Sequence, residues 1–146
     1  MLNESVQLKI LQAELEATQK QIDKYDQFSM TTRTWAVTLW VASLGWAFQG
    51  HRAEILLLSI ALLFIFWSLD AINKSFRRDY KERRHTVGGL LARLFQEQSL
   101  TANTSAPQFP EHNPWKILTS FFAVHMALPY ALLTVVSLVL YFAFPI

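Results

Sequence analysis

The feature that most constrains this chain is an apolar run that passes directly into a charged, basic run between Ile55 and Arg84. No glycine or proline interrupts these residues, and residues 55–69 carry no charge. One continuous helix of about 30 residues would be roughly 45 Å long, which exceeds a bilayer core of about 30 Å. We therefore expect a helix that begins in a membrane and ends outside it. Its basic half should mark the cytoplasmic side, where Lys and Arg are retained.

Charge is scarce elsewhere as well. Only 16% of the residues are charged, against about 25% in typical soluble domains. Three segments are almost free of charge, and we predict that they form transmembrane helices at residues 31–50, 54–73 and 115–144. The alternative, a soluble bundle, would need more polar covering helix than 146 residues provide. The first thirty residues are polar, so we expect no signal peptide there.

The distribution of Lys and Arg predicts the topology. Basic residues are frequent in the N-terminal arm and between the second and third predicted spans, whereas Arg52 is the only Lys or Arg in the first turn and none follows Lys116. The positive-inside rule then places the N-terminus in the cytoplasm and the C-terminus on the far side of a plasma membrane. Trp35 and Trp115 would lie at the inner interface, and Trp46 at the outer one.

Two polar segments should pack together in the cytoplasm. The N-terminal arm, residues 1–30, carries a heptad pattern that favours packing within the chain or self-association: Leu8, Leu11, Leu15, Thr18, Ile22 and Tyr25. The extension of the second span, residues 74–99, offers a stripe of Phe76, Tyr80 and Val87 as its partner. We expect Gly88-Gly89 to break this helix and residues 100–114 to form a loop.

The predicted fold is thus an all-α membrane protein with three transmembrane helices. Its N-terminal arm and the extension of the second span would form a cytosolic helical hairpin. The chain has no cysteine and its four histidines show no metal-ligand spacing. It also lacks a phosphate loop, a nucleophile elbow and paired catalytic carboxylates. We therefore predict no enzymatic activity, no cofactor and no metal.

Asp70 is the first candidate site residue, because it lies where the second span would leave the membrane. It could pair with Lys74 one turn later, or it could line the inner mouth of a pore. His125 is an ionisable residue inside the third span. Pro129 has no N–H for the His125 carbonyl and so predicts a kink. Further pore or gating candidates follow at helical spacing, and Tyr141 extends the same polar stripe: Tyr130, Thr134 and Ser137.

A small and polar stripe on the first span comprises Thr38, Ala42, Gly45 and Gln49. It predicts either close helix packing or a water-facing lining. A cluster of arginines follows the second span, and two interpretations stay open for it. It could determine topology and contact anionic lipid, or it could bind a phosphorylated or nucleotide ligand. No DNA-reading motif accompanies it. The cluster comprises Arg77, Arg78, Arg83 and Arg84.

Residues 25–84 resemble the SLATT-type membrane proteins, through Phe66-Trp67-Ser68-Leu69-Asp70 and Phe76-Arg77-Arg78-Asp79-Tyr80. That family has a short N-terminal helix, a two-helix membrane hairpin and a cytosolic helix that continues from the second span. The resemblance implies a bacterial inner-membrane effector of antiviral defence that forms an oligomeric pore when a cytosolic protein or a nucleotide triggers it. Without the resemblance, an accessory subunit of a larger membrane complex is the alternative.

Overall fold

The computed structural model describes residues 4–96, 110 and 113–143, and all regular secondary structure within them is helical. Helix α1 spans Glu4–Gly50, α2 spans Glu54–Phe95, α3 spans Trp115–Phe121 and α4 spans Val124–Ala143. Of these, α2 and α4 are long and apolar enough to cross a membrane. The prediction of an all-helical chain is confirmed. Segment 31–50, which is rich in Trp, Thr and Gly, does not reach the same apolar criterion.

A three-residue connection, residues 51–53, separates α1 from α2. His51 adopts a left-handed conformation with φ of 48°, which ends α1 in the way that a glycine usually does. The Arg52 N–H then donates to the Ala47 carbonyl at 3.1 Å, so one of the free carbonyls at the helix end is satisfied. This turn lies where the sequence predicts it.

Helix α2 continues through Gly88-Gly89, so the predicted break at this pair is wrong. A helical glycine costs about 1 kcal/mol relative to alanine. The residues on either side offset that cost, because Val87, Leu90 and Leu91 are buried in one cluster with Leu11 of α1. Burial of such side chains contributes about 1.5–3 kcal/mol each. Leu90 and Leu91, which follow the glycine pair, therefore belong to the end of α2.

The segment predicted as one helix over residues 115–144 is two helices. The break lies at Phe122-Ala123, several residues before Pro129, which lies inside α4. Trp67 of α2 accounts for the break, since its ring stacks on Phe121 with centroids 4.1 Å apart. Its indole N–H also donates to the Phe121 carbonyl at 3.1 Å. A carbonyl that a continuous helix would satisfy is thus satisfied by a side chain.

The chain divides into two compact units. The first unit comprises Met1–Asp26 with Phe76–His112, and the second comprises Gln27–Ser75 with Asn113–Ile146. Helices α1 and α2 contribute residues to both units. Apart from residues 110, 113 and 114, the predicted loop over 100–114 lies outside the described residues, as do residues 97–99.

Candidate functional site: the Asp70 cluster

The second unit contains a buried carboxylate at which three helices meet. Asp70 of α2 has no solvent exposure. Arg33 of α1 donates from Nε to its Oδ2 at 2.8 Å, and the Ser29 hydroxyl donates to Oδ1. The Tyr130 hydroxyl of α4 lies 3.5 Å from Oδ2. We call these four residues the Asp70 cluster.

The local sequence explains how α1 supplies two donors. Ser29 and Arg33 are four residues apart, so they lie on the same face of an α-helix. That face turns toward α2, because Thr32 and Ala36 on either side of it are also buried. Tyr130 arrives from α4 with its ring packed among Ala36 and Leu63. The cluster therefore satisfies a carboxylate whose burial without partners would be very costly.

The electrostatics of the cluster are asymmetric. Asp70 is fully buried, whereas 41% of the Arg33 side chain is exposed. Loss of the Asp70 charge would leave a neutral buried group and an arginine that can turn toward solvent. Loss of Arg33 would instead leave an ionised carboxylate inside the protein, which is the more expensive of the two states. Removal of Arg33 should therefore destabilise the second unit more than neutralisation of Asp70.

Lys74 does not pair with Asp70 as the four-residue spacing suggested. Its amine instead contacts Nε2 of His125 on α4. The Asp70 carboxylate accepts hydrogen bonds from Arg33 and Ser29. An i,i+4 ion pair on a helix contributes only about 0.2–0.5 kcal/mol, so partners from other helices readily replace it. His125 is exposed, and its ring lies beside the Lys74 amine.

The predicted polar stripe on α4 is only partly turned inward. Tyr130 and Ser137 are buried, Thr134 is half-buried and Pro129 is exposed. Ser137 accepts a hydrogen bond from the indole N–H of Trp40 at 2.8 Å. Its hydroxyl in turn donates to the Leu133 carbonyl at 2.9 Å. This pair joins segment 31–50 of α1 to α4.

In the first unit, residues of the heptad pattern face the end of α2. Leu11 packs in the cluster with Val87, and Leu15 lies against the same cluster. The Tyr25 ring stacks on Phe76 at 5.9 Å between centroids and is tilted against Tyr80 at 5.8 Å. Leu8 is half-buried and Ile22 is buried. Burial raises the pKa of Tyr25 above 10.0, and the neighbouring Tyr80 adds to the effect.

Three of the four clustered arginines bind side chains of α1 in the same unit. Arg83 donates from Nε to Glu14 at 2.7 Å, and both side chains are nearly buried, with exposures of 11% and 9%. Arg77 donates to Asp26 at 2.9 Å, and Arg84 donates to the Gln19 carbonyl oxygen at 2.7 Å. Arg78 is half-buried. A phosphate ligand at this cluster would have to displace carboxylates that already occupy it.

Ser29 and Arg33 were not identified as site residues from the sequence. The available signal was a hydroxyl and a basic residue, Ser29 and Arg33, one helical turn apart at the edge of the first predicted span. The second predicted span, which that span faces, carries the carboxylate of Asp70. Among the described residues, no group of three or more His, Asp or Glu side chains is placed to hold a metal ion. The chain matches no known protein-family model, no curated protein and no solved structure.

Proposed function

We propose that this protein is an oligomeric membrane effector that conducts ions when the Asp70 cluster opens, in response to a cytosolic trigger. The observation that carries the proposal is the cluster itself, in which a fully buried carboxylate accepts hydrogen bonds from Arg33 and Ser29 of a neighbouring helix. Two of the three helices that meet there are apolar enough to cross a membrane. Ionisable residues at such positions are expensive and typically belong to ion pathways or gates.

Exposure of apolar side chains supports a membrane setting. Only 28% of the apolar stretch of α2 and 17% of that of α4 is buried within the protein, whereas the core helix of a soluble protein is mostly buried. Large apolar side chains on both helices face outward, among them Phe64 at 57% and Val139 at 58% exposure. These surfaces would contact lipid.

Segment 31–50 of α1 would be the third span. Four of its five Ser and Thr hydroxyls donate to carbonyls within the helix, which suits a lipid environment. They belong to Thr31, Thr32, Thr34 and Ser43. Trp35 and Trp46, at either end, are 56% and 63% exposed, which suits side chains at the two membrane interfaces. The cytosolic hairpin would then be the first unit.

Conduction requires assembly, because three helices from one chain cannot enclose a pore. The face for assembly would be the stripe of Thr38, Ala42, Gly45 and Gln49, all of which are exposed. A Cβ added at Gly45 would meet nothing within 4 Å, so another helix could approach closely there. Lipid-facing α4 would lie on the outside of the assembly.

The trigger would act on the first unit. Its ion pairs between α1 and α2, such as Glu14–Arg83, are contacts that a bound protein or an anionic ligand could rearrange. Because α1 and α2 are each unbroken through residues of both units, such a rearrangement has a covalent route to Ser29, Arg33 and Asp70. The resemblance to SLATT-type effectors is consistent with this proposal, including a role in antiviral defence.

The test begins with the mass of the full chain in detergent, where an oligomer is expected and a monomer would exclude a pore. The protein is then reconstituted in vesicles of phosphatidylethanolamine and phosphatidylglycerol that contain a fluorescent ion indicator. We expect Asp70→Asn to raise ion flux above wild type, and His125→Leu to change it, while His51→Gln in the connection should not. Absence of flux in all of these, together with a stable complex with other membrane proteins, would support an accessory subunit instead.

A further inference from the structure

We propose that Asp70 is a proton-binding site, and that protonation of this carboxylate releases α1 and α4 from α2. The inference rests on the proposed function, because it assigns a regulating ligand to the same cluster. It goes further by naming the ligand, a proton, and the group that binds it, the Asp70 carboxylate. It requires only that the cluster exists, and so it can be tested without any conduction.

The geometry concentrates three contacts on one ionisable group. Ser29 binds Oδ1, while Arg33 and Tyr130 approach Oδ2. As an ionised carboxylate, Asp70 accepts from all three. When it is protonated, one oxygen becomes a donor and the attraction to the guanidinium is lost. A single proton therefore weakens the contacts to two helices at once.

The charged and polar groups around Asp70 determine how acid changes the packing of α2. On α1 the cluster faces Arg33, on α4 it faces Tyr130, and one turn along α2 Lys74 contacts His125. Arg33 and Lys74 are cations, and Tyr130 is a neutral hydrogen-bond donor. A protonated His125 beside the Lys74 ammonium would add repulsion between α2 and α4. Acid therefore weakens the α2–α4 contact at both places.

The Arg33–Asp70 pair can separate because the Arg33 side chain can reach solvent. Its side chain is 41% exposed whereas Asp70 is fully buried. A neutral aspartic acid is tolerated in an apolar interior far better than an unpaired carboxylate. The guanidinium meanwhile can reach water or lipid phosphate. Protonation thus replaces a buried ion pair with a neutral buried group and a solvated cation.

The chain has no cysteine, so two cysteines can be introduced for spin labels without a background. Met30 on α1 and Val124 on α4 are both 72% exposed and can be replaced as Met30→Cys and Val124→Cys. The distance between the labels is measured in lipid nanodiscs from about pH 8 to about pH 3, a range that extends below the reference aspartate pKa of about 3.9 and covers that of histidine. We expect one narrow distance distribution at the alkaline end and a longer, broader one in acid.

Variants separate Asp70 from other titrating groups. Asp70→Asn should show the acid distribution at all pH values, and His125→Gln should keep most of the response. Asp79→Asn is the matched control, because Asp79 is another buried carboxylate on α2, with 3% exposure, and its response should equal that of wild type. A wild-type distribution that does not change with pH would overturn the proposal even if Asp70→Asn failed to fold. An Asp70→Asn protein that still responds to acid like wild type would also overturn it.

The distances also separate this inference from the proposed function. A pH-dependent change of distance without ion flux at any pH would retain the proton site and remove the pore. Flux that is present while the distances stay constant would retain the pore and remove the proton site.

Discussion

A Glu14→Gln substitution tests how much the first unit depends on one ion pair. Glu14 and Arg83 are 9% and 11% exposed, so the pair is close to the buried limit. Removal of one partner from a buried pair typically costs about 3–5 kcal/mol, because the other charge is left buried. The glutamine retains an acceptor oxygen, so we expect about 3 kcal/mol. That is roughly a hundredfold increase in the equilibrium constant for local opening.

Amide hydrogen exchange, followed by mass spectrometry on peptides from both helices of the unit, measures this opening directly. Asp26→Asn is the matched control, since the Asp26–Arg77 pair has side-chain exposures of 43% and 33% and should contribute at most about 1 kcal/mol. A double variant with Glu14→Leu and Arg83→Met should recover most of the lost stability. Equal effects of Glu14→Gln and Asp26→Asn would refute the use of burial to rank these pairs.

Two further predictions concern one contact in each unit. Trp40→Phe and Ser137→Ala should show a coupling free energy of about 0.6 kcal/mol and at most about 1.7 kcal/mol for the 2.8 Å hydrogen bond, measured as a double-mutant cycle of thermal unfolding in detergent. Additive effects would mean that the bond contributes nothing. Because burial raises the pKa of Tyr25 above 10.0, the folded state holds that proton more tightly than the unfolded chain. The stability that this difference contributes is present below about pH 10 and is lost as the pH rises through the folded-state pKa. Tyr25→Phe should therefore reduce the loss of stability at alkaline pH, measured with a fluorophore attached at Lys81→Cys.

Helix content and the first turn were predictable because they depend on short-range signals. Apolar runs without breakers favour long helices, and residues 51–53 separate α1 from α2 as the sequence indicates. The heptad pattern also identified the face of α1 that contacts the end of α2, since Leu11 lies against Val87. Patterns of this kind are repeated over many residues, so an error at one position does not change the result.

The helix breaks were not predictable, because tertiary contacts decided them. Gly88-Gly89 is a strong local signal for a break, but the buried residues beside it keep α2 intact. Phe122-Ala123 contains neither glycine nor proline, yet the helix ends there, where the Trp67 ring stacks on Phe121 and its indole N–H donates to the Phe121 carbonyl. A local propensity of about 1 kcal/mol is smaller than the contribution of a buried aromatic or aliphatic side chain.

Asp70 and Lys74 of α2 show the same competition between local and tertiary contacts most clearly. They also explain where the candidate site lies. Asp70 and Lys74 could satisfy each other along one helix, but each binds another helix instead, Asp70 through Arg33 and Lys74 through His125. In an apolar setting a charge that bonds across helices fixes their packing, whereas a charge that bonds along its own helix fixes nothing between helices. The helix that carries both charges is therefore held to its neighbours by charged groups. Packing of α1, α2 and α4 in the second unit should then depend on protonation, a dependence that purely apolar contacts such as Ala36–Leu63 could not produce.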